Sequence, residues 1–219
     1  MDSQVIYGLG IILAYLAGSI SSSILIARCL QLPDPRRLGS GNPGATNMLR
    51  TGSKKAAVFT LLGDLLKGLI PLLIARSLGF DLFVLCLMGL AAIIGHMYPI
   101  YYKFRGGKGV ATTLGVLIGI NWILAIIWVA TWMSSAKLTG YSSLSALVAT
   151  ALLPIVAYFM HLPMIVIYLT GAIAIIIIWR HQPNIKNFLN GMESKILTKD
   201  WHLFYCCNDQ RGYGVISLV

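Results

Sequence analysis

The residues best suited to chemistry lie in three short polar segments set between apolar runs. The first reads Gly39-Ser40-Gly41-Asn42-Pro43-Gly44-Ala45-Thr46-Asn47 and closes at Arg50. Its glycines let the main chain turn inward and bring N–H groups close to an anion. Ser40, Thr46 and Asn47 add neutral donors, and Arg50 can grip a phosphate through two parallel N–H bonds. Gly39, Gly41, Asn42 and Gly44 complete this candidate phosphate loop. The second segment holds Gly95-His96-Met97-Tyr98-Pro99 and then Phe104-Arg105-Gly106-Gly107-Lys108-Gly109. Gly106, Gly107 and Gly109 flank Lys108 where a helix is predicted to begin. A helix start offers unpaired N–H groups and partial positive charge to a phosphate. Lys103 and Arg105 serve equally well as topology charges, and His96 suits a structural hydrogen bond near the interface more than the alternative of a catalytic role. The third segment is Arg180-His181-Gln182-Pro183-Asn184-Ile185, running on to Gly191 and Glu193. His181 can donate to a phosphate oxygen or exchange a proton near neutral pH. Asn184 can both donate and accept, and Glu193 suits a local ion pair with a basic side chain.

Other chemistries lack their residues. Carboxylates are few and none pairs as a catalytic dyad. HExxH is absent, and no metal-ligand set emerges. No GxSxG elbow occurs, and Tyr102 and Gly109 stand where a Walker A loop needs Gly and Ser or Thr. The residues five positions after the histidines are Tyr101, Val166, Lys186 and Cys207, so the histidine-x4-aspartate motif of one class of acyl-transferring enzymes is missing. What remains is positioning and charge stabilisation of an already activated substrate. Positioning alone supplies up to about 7–11 kcal/mol of a barrier in favourable cases.

The elements that must carry these segments are membrane helices. The chain has 219 residues, of which 57% are hydrophobic and 11% charged, where a soluble domain carries about 25% charged. The apolar pattern predicts an all-α, polytopic membrane protein. Its spans run over 5–30, 56–78, 82–101, 109–120, 122–136, 143–160 and 164–179. Asp64 and Lys67 sit one turn apart in the second. Such charges cost roughly 2.5–3.5 kcal/mol each on insertion. They can neutralise each other, with Lys67 also a more distant donor to an anionic substrate. The region 109–136 is divided at Asn121 so that every basic loop falls on one face. By the positive-inside rule that face is cytoplasmic and the N-terminus lies outside. The helix over 109–120 reaches only about 18 Å at ~1.5 Å per residue, so it needs a thinned bilayer or a position lined by protein. Five crossings is the fallback count. The first segment lacks a basic leader and cleavage site and reads as a retained helix.

The net charge of +10 lies in a few clusters. They suit topology and contact with anionic lipid or substrate. No aromatic-interleaved basic face points to nucleic acid. Four cysteines without a CxxC pair exclude a disulfide or zinc framework. Residues 1–199 form one expected membrane domain, and 200–219, with Trp201, Tyr205, Cys206 and Cys207, a tail without assigned role.

The blocks Ser40 to Gly68, Gly95 to Gly115 and His181 to Glu193, in this order, closely resemble the bacterial acyl-phosphate:glycerol-3-phosphate acyltransferases. The resemblance extends to about Lys195. It implies seven helices in the bacterial inner membrane and a cytoplasmic-side site. It also implies acyl transfer from acyl-phosphate to the 1-hydroxyl of glycerol 3-phosphate, giving lysophosphatidic acid and phosphate for phospholipid synthesis. On that resemblance Ser40, Thr46, Asn47, Arg50, Lys108, His181 and Asn184 match the family's substrate-binding and catalytic positions. Arg50 and Lys108 would hold phosphate groups, Ser40 and the loop glycines would orient acyl-phosphate, and His181 and Asn184 would position glycerol 3-phosphate. The substrate's own phosphate can take the hydroxyl proton. No cofactor, metal or acyl-carrier protein is implied at the site, and a functional link to the soluble enzyme that makes acyl-phosphate is. Gln182 and Asn187 depart from arginines common in the family. The alternative from another class is a transporter or channel for a small phosphorylated or neutral solute. Asn42-Pro43-Gly44 suits it, but a channel needs a matching second copy and a transporter tends to have paired halves; neither is present.

Overall fold

The longest helix shows how this chain is turned inside out relative to a soluble protein. In α4 (Lys54–Ser77) the buried residues include Ala57, Thr60, Asp64, Lys67, Gly68, Leu72 and Ala75, spaced for one face of a helix. Its exposed residues include Val58, Phe59, Leu61, Leu62, Leu66, Ile70, Leu73 and Ile74. Charge and hydroxyls point inward and hydrocarbon outward, which suits a lipid surround.

The computed structural model describes residues 3–50 and 53–196. They form α1 (Ser3–Gly18), α2 (Ser22–Cys29), α3 (Ala45–Arg50), α4, α5 (Leu82–Met97), α6 (Val110–Ile120), α7 (Trp122–Thr139), α8 (Ser142–Phe159), α9 (Met164–Arg180) and α10 (Gln182–Leu189). Two 3-10 turns, Pro35–Arg37 and Ile100–Tyr102, complete the described elements, among which there is no strand. Four helices are long and apolar enough to cross a membrane, and up to six spans result if each of two bent helix pairs is one span. The expected tail, 200–219, lies outside the described residues.

The division at Asn121 is present. Asn121 ends α6 and caps α7, its Oδ1 accepting the Leu124 N–H at 3.0 Å. The short α6 is largely buried, with Thr112, Thr113, Gly115, Val116, Leu117, Gly119 and Ile120 all enclosed. It packs against α4 with almost no space between backbones. A Cβ on Gly115 would lie 2.0 Å from the Leu65 carbonyl oxygen, and one on Gly68 would lie 2.4 Å from that of Thr112. Small residues allow such contact between membrane helices. The short helix thus has the protein-lined position expected as one way to accommodate it.

The single helix expected over 5–30 is corrected. It breaks at Ser19-Ile20-Ser21, where α1 and α2 bend by 44°. A bend frees main-chain groups that lipid cannot satisfy. Here the Lys67 ammonium donates to the Ile20 carbonyl at 2.6 Å while pairing with Asp64 Oδ1 at 2.9 Å. His96 Nδ1 lies 3.6 Å from the same carboxylate oxygen. Removing one member of such a buried pair costs about 3–5 kcal/mol. Lys67, expected to neutralise Asp64 and also to serve as a more distant donor to substrate, here pairs with Asp64 and bonds the Ile20 carbonyl.

Candidate active site

The first polar segment folds around one amide. Asn47, in the short α3, is 1% exposed. Its Nδ2 donates to the carbonyls of Pro35 (2.8 Å) and Leu38 (3.0 Å), and its Oδ1 accepts from Ser40 N (2.9 Å) and Ser40 Oγ (3.2 Å). Gly39 has φ +52°, and a Cβ there would stand 2.4 Å from Asn47 Oδ1. Asn47, expected among the substrate donors, instead spends its amide on the shape of the loop, because all its hydrogen-bonding groups face inward. Ser40 itself is exposed. Arg36 forms a forked pair with Asp34, Nη2 to Oδ2 at 2.6 Å. That hydrogen bond, to a side chain outside the spans, holds the Asp34 carboxyl below its ordinary range.

The second segment is clamped from two sides. The Gly107 N–H donates to the His96 carbonyl at 3.1 Å. Arg180 Nη2 donates to the carbonyls of Gly106 and Gly107, each at 3.0 Å. A Cβ on Gly106 would meet the His96 carbonyl oxygen at 2.1 Å, and one on Gly107 the His96 Nε2 at 2.2 Å. The glycine pair, expected to cradle phosphate, has both carbonyls and the Gly107 N–H engaged within the protein. The pair serves close packing, and of its two N–H groups that of Gly107 is taken by the His96 carbonyl. Gly109 (φ +83°) begins α6 in a left-handed conformation.

The third segment meets the other two. Lys108 Nζ donates to Asn184 Oδ1 at 2.5 Å, and Asn184 Nδ2 donates to Glu193 Oε1 at 2.7 Å. The amide's direction is thereby assigned: oxygen toward the cation, nitrogen toward the carboxylate. Arg50 Nη2 donates to the Ser194 carbonyl at 2.9 Å, and its charge is felt at Lys108. His181 closes α9 and is 2% exposed. Its Nδ1 bonds the Ile177 carbonyl at 2.8 Å. That carbonyl needs a donor, so the proton of the neutral ring sits on Nδ1 and Nε2 keeps its lone pair. Burial first, then Lys108 and Arg180, push the His181 pKa down. Burial likewise lowers Lys108, to about 8, with Arg50 and Arg180 adding to it and Glu193 opposing it. Arg50 is lowered by burial.

Several partners were not legible in the sequence. Glu193, expected as a partner for a basic side chain, faces the charges of Lys108 and Arg50 and also accepts from Asn184 and from Ser143, the latter through Oγ at 2.5 Å. Ser142 Oγ lies 3.2 Å from Thr46 Oγ1. The α7–α8 turn thus joins the site, bound by Ile196 N to the Gly140 carbonyl at 2.8 Å and by the Tyr141–Phe188 edge contact. A polar Gly-Tyr-Ser-Ser stretch between two apolar helices carries no signal beyond a turn. Arg180, expected as part of a charged helix end, proved a main-chain clamp. Among the described residues around Lys108, three cations (Arg50, Lys108, Arg180) face one carboxylate, Glu193.

The helices of this apolar-surfaced bundle thus gather three cations and one carboxylate where the three polar segments meet, a charge balance suited to phosphorylated substrates beside lipid. The chain belongs to the glycerol-3-phosphate acyltransferase family, whose model matches residues 8–191. It is 50% identical to a glycerol-3-phosphate acyltransferase of Thioalkalivibrio sulfidiphilus over 186 residues, 85% of this chain and 92% of the relative. It is 46% identical to that of Methylococcus capsulatus over 186 residues, 85% and 94% of the two chains. Among solved structures it resembles PlsY (YgiH), an integral membrane glycerol 3-phosphate acyltransferase. The glycerol 3-phosphate form matches with TM-score 0.84 and the lysophosphatidic acid form with 0.81, each at 39% identity over 90% of this chain and 98% of that one. This membership favours the enzyme over the transporter or channel.

Proposed function

We propose that the protein transfers a fatty acyl group from acyl-phosphate to the 1-hydroxyl of glycerol 3-phosphate, releasing lysophosphatidic acid and inorganic phosphate. The observation that carries this reading is the excess of positive charge around Lys108, set beside a neutral amide and a buried imidazole. Phosphate dianions fit such a site, and cations in a low-dielectric pocket stabilise charge strongly.

Lys108 and the opening N–H groups of α6 hold the phosphate of glycerol 3-phosphate. Asn184, aimed by Glu193, hydrogen-bonds the glycerol backbone. Nε2 of His181 accepts a hydrogen bond from the attacking hydroxyl and orients its lone pair. Arg50, Ser40 and the loop of Gly39, Gly41, Asn42, Gly44 and Thr46 face the acyl-phosphate. As the hydroxyl oxygen bonds the acyl carbon, the carbon–oxygen bond to phosphate breaks. The departing phosphate takes the hydroxyl proton, so no side chain ends the cycle changed.

In this reading all seven apolar segments cross or pack within the bacterial inner membrane, the three polar segments face the cytoplasm and the N-terminus lies outside. Residues 1–199 act as one domain. The soluble enzyme that makes acyl-phosphate supplies the donor. The test uses purified protein in detergent with glycerol 3-phosphate and palmitoyl-phosphate, palmitoyl-CoA or palmitoyl-carrier protein. Lysophosphatidic acid and phosphate from palmitoyl-phosphate alone, lost in Lys108→Ala, is the expected result. Product from either thioester but not from the phosphate would overturn the donor assignment.

A further inference from the structure

Arg180 stands beside the site and directs its guanidinium hydrogen bonds at main chain. Nη2 reaches the Gly106 and Gly107 carbonyls at 3.0 Å each, and Nε reaches that of Gly107 at 3.3 Å. Its guanidinium lies 5.2 Å from the centroid of the Tyr98 ring, and that ring packs against Trp179. A planar fork resting on an aromatic face is pre-organised in a way an ammonium is not.

The geometry of the peptide unit carries this contact further. A trans peptide is planar, with its carbonyl and the following N–H on opposite sides, and no cis bond occurs among the described residues. The Gly106–Gly107 peptide accordingly sends its oxygen to Arg180 and its N–H to the His96 carbonyl. The Gly107–Lys108 peptide also sends its oxygen to Arg180, so the Lys108 N–H must point away from that guanidinium. His96 lies close against both glycines, where an added Cβ would run into it.

We propose that Arg180 is a positioning residue for the acyl acceptor. By holding two successive carbonyls it turns those oxygens away from the anion and aims the Lys108 N–H and side chain at the phosphate of glycerol 3-phosphate. This rests on the acyltransferase reading above. Arg180 acts through Lys108 and touches no reacting atom.

Arg180 also faces Lys108 as a charge, together with Arg50 from α3, Glu193 from the segment after α10 and the neutral His181 at the end of α9. Removing it takes one cation from the neighbourhood and lets Lys108 keep its proton to higher pH. Geometry and charge can therefore be separated. Arg180→Lys keeps the charge but cannot bridge two carbonyls, whereas Arg180→Ala loses both.

The experiment measures kcat and KM for glycerol 3-phosphate, with palmitoyl-phosphate saturating, from neutral to alkaline pH. Both variants should raise KM by roughly 10- to 100-fold with a much smaller change in kcat. The alkaline limb of kcat/KM should move up in pH for Arg180→Ala and stay in place for Arg180→Lys. A wild-type protein that makes no lysophosphatidic acid sinks the acyltransferase reading itself. An active wild type with variants of unchanged KM, or with kcat lost at constant KM, overturns the role of Arg180. Should Arg180→Ala not survive purification, Arg180→Lys decides alone: a raised KM supports the proposal, and a wild-type KM refutes it.

Discussion

The loop around Ser40 and the loop before Lys108 are both rich in glycine, yet they are held in opposite ways. In the first, one amide within the segment does the work. Asn47 bonds Pro35, Leu38 and Ser40, none more than twelve positions away. In the second, a local bond from the Gly107 N–H to the His96 carbonyl is joined by a clamp from afar. Arg180 reaches Gly106 and Gly107 across 74 and 73 positions, from the far end of another helix. The contrast teaches that one composition supports two kinds of order. A locally tied loop keeps its shape whenever its own segment is intact. A remotely tied loop is ordered only when α5, α6 and α9 are all in place, so its donor is aimed by the whole bundle.

The change expected to break the second loop most severely is Gly106→Ala. The new methyl meets the His96 and Met97 carbonyls, at 2.1 and 2.7 Å, and main chain cannot yield. A displacement of the Lys108 donors should lower kcat/KM for glycerol 3-phosphate roughly 100-fold. Hydrogen exchange should quicken at 104–110 and not at 36–42. Exchange spreading evenly over both loops would remove the distinction drawn between them.

Asn47→Ala should do the reverse. It strands the Pro35 and Leu38 carbonyls and the Ser40 N–H, at about 1–3 kcal/mol for each group left without a partner. A lowered melting temperature in detergent, with faster exchange confined to 36–42, is the expected signature. Preserved activity and exchange would show that the loop does not depend on this amide.

Lys108→Arg sharpens the electrostatic side. In the free protein Lys108 sheds its proton as pH rises through about 8, below its ordinary range. The positive charge that holds phosphate is present below that point and lost above it, so kcat/KM should decline there. An arginine stays charged throughout, and the decline should vanish even if the rate is lower. A limb persisting unchanged in Lys108→Arg assigns it to another group. The smallest effect is reserved for Ser143→Ala. It removes one of two donors to Glu193, worth about 1 kcal/mol. A several-fold rise in KM is expected. A loss as large as that of Gly106→Ala would make the α7–α8 turn a principal part of the site.

Local physics made much of this protein readable from its residues alone. Apolar runs with hydrogen-bonded main chain must become helices in lipid, and a capping side chain such as Asn121 both ends one helix and starts the next. Glycines, hydroxyls and cations in three segments suggested a place for an anion, and their order matched a known family. Other features belong to the tertiary structure. The bend at Ser19–Ser21 depends on Lys67 from α4 to satisfy the Ile20 carbonyl. The placement of α6 depends on Gly68 and Gly115 fitting between backbones. The inward commitment of Asn47 and Lys67, the Arg180 clamp and the Ser143–Glu193–Asn184–Lys108 chain were likewise decided by packing. A polar side chain announces that it needs a partner. Which partner it finds depends on what the folded bundle brings within hydrogen-bonding distance, and neighbours in the sequence do not record that.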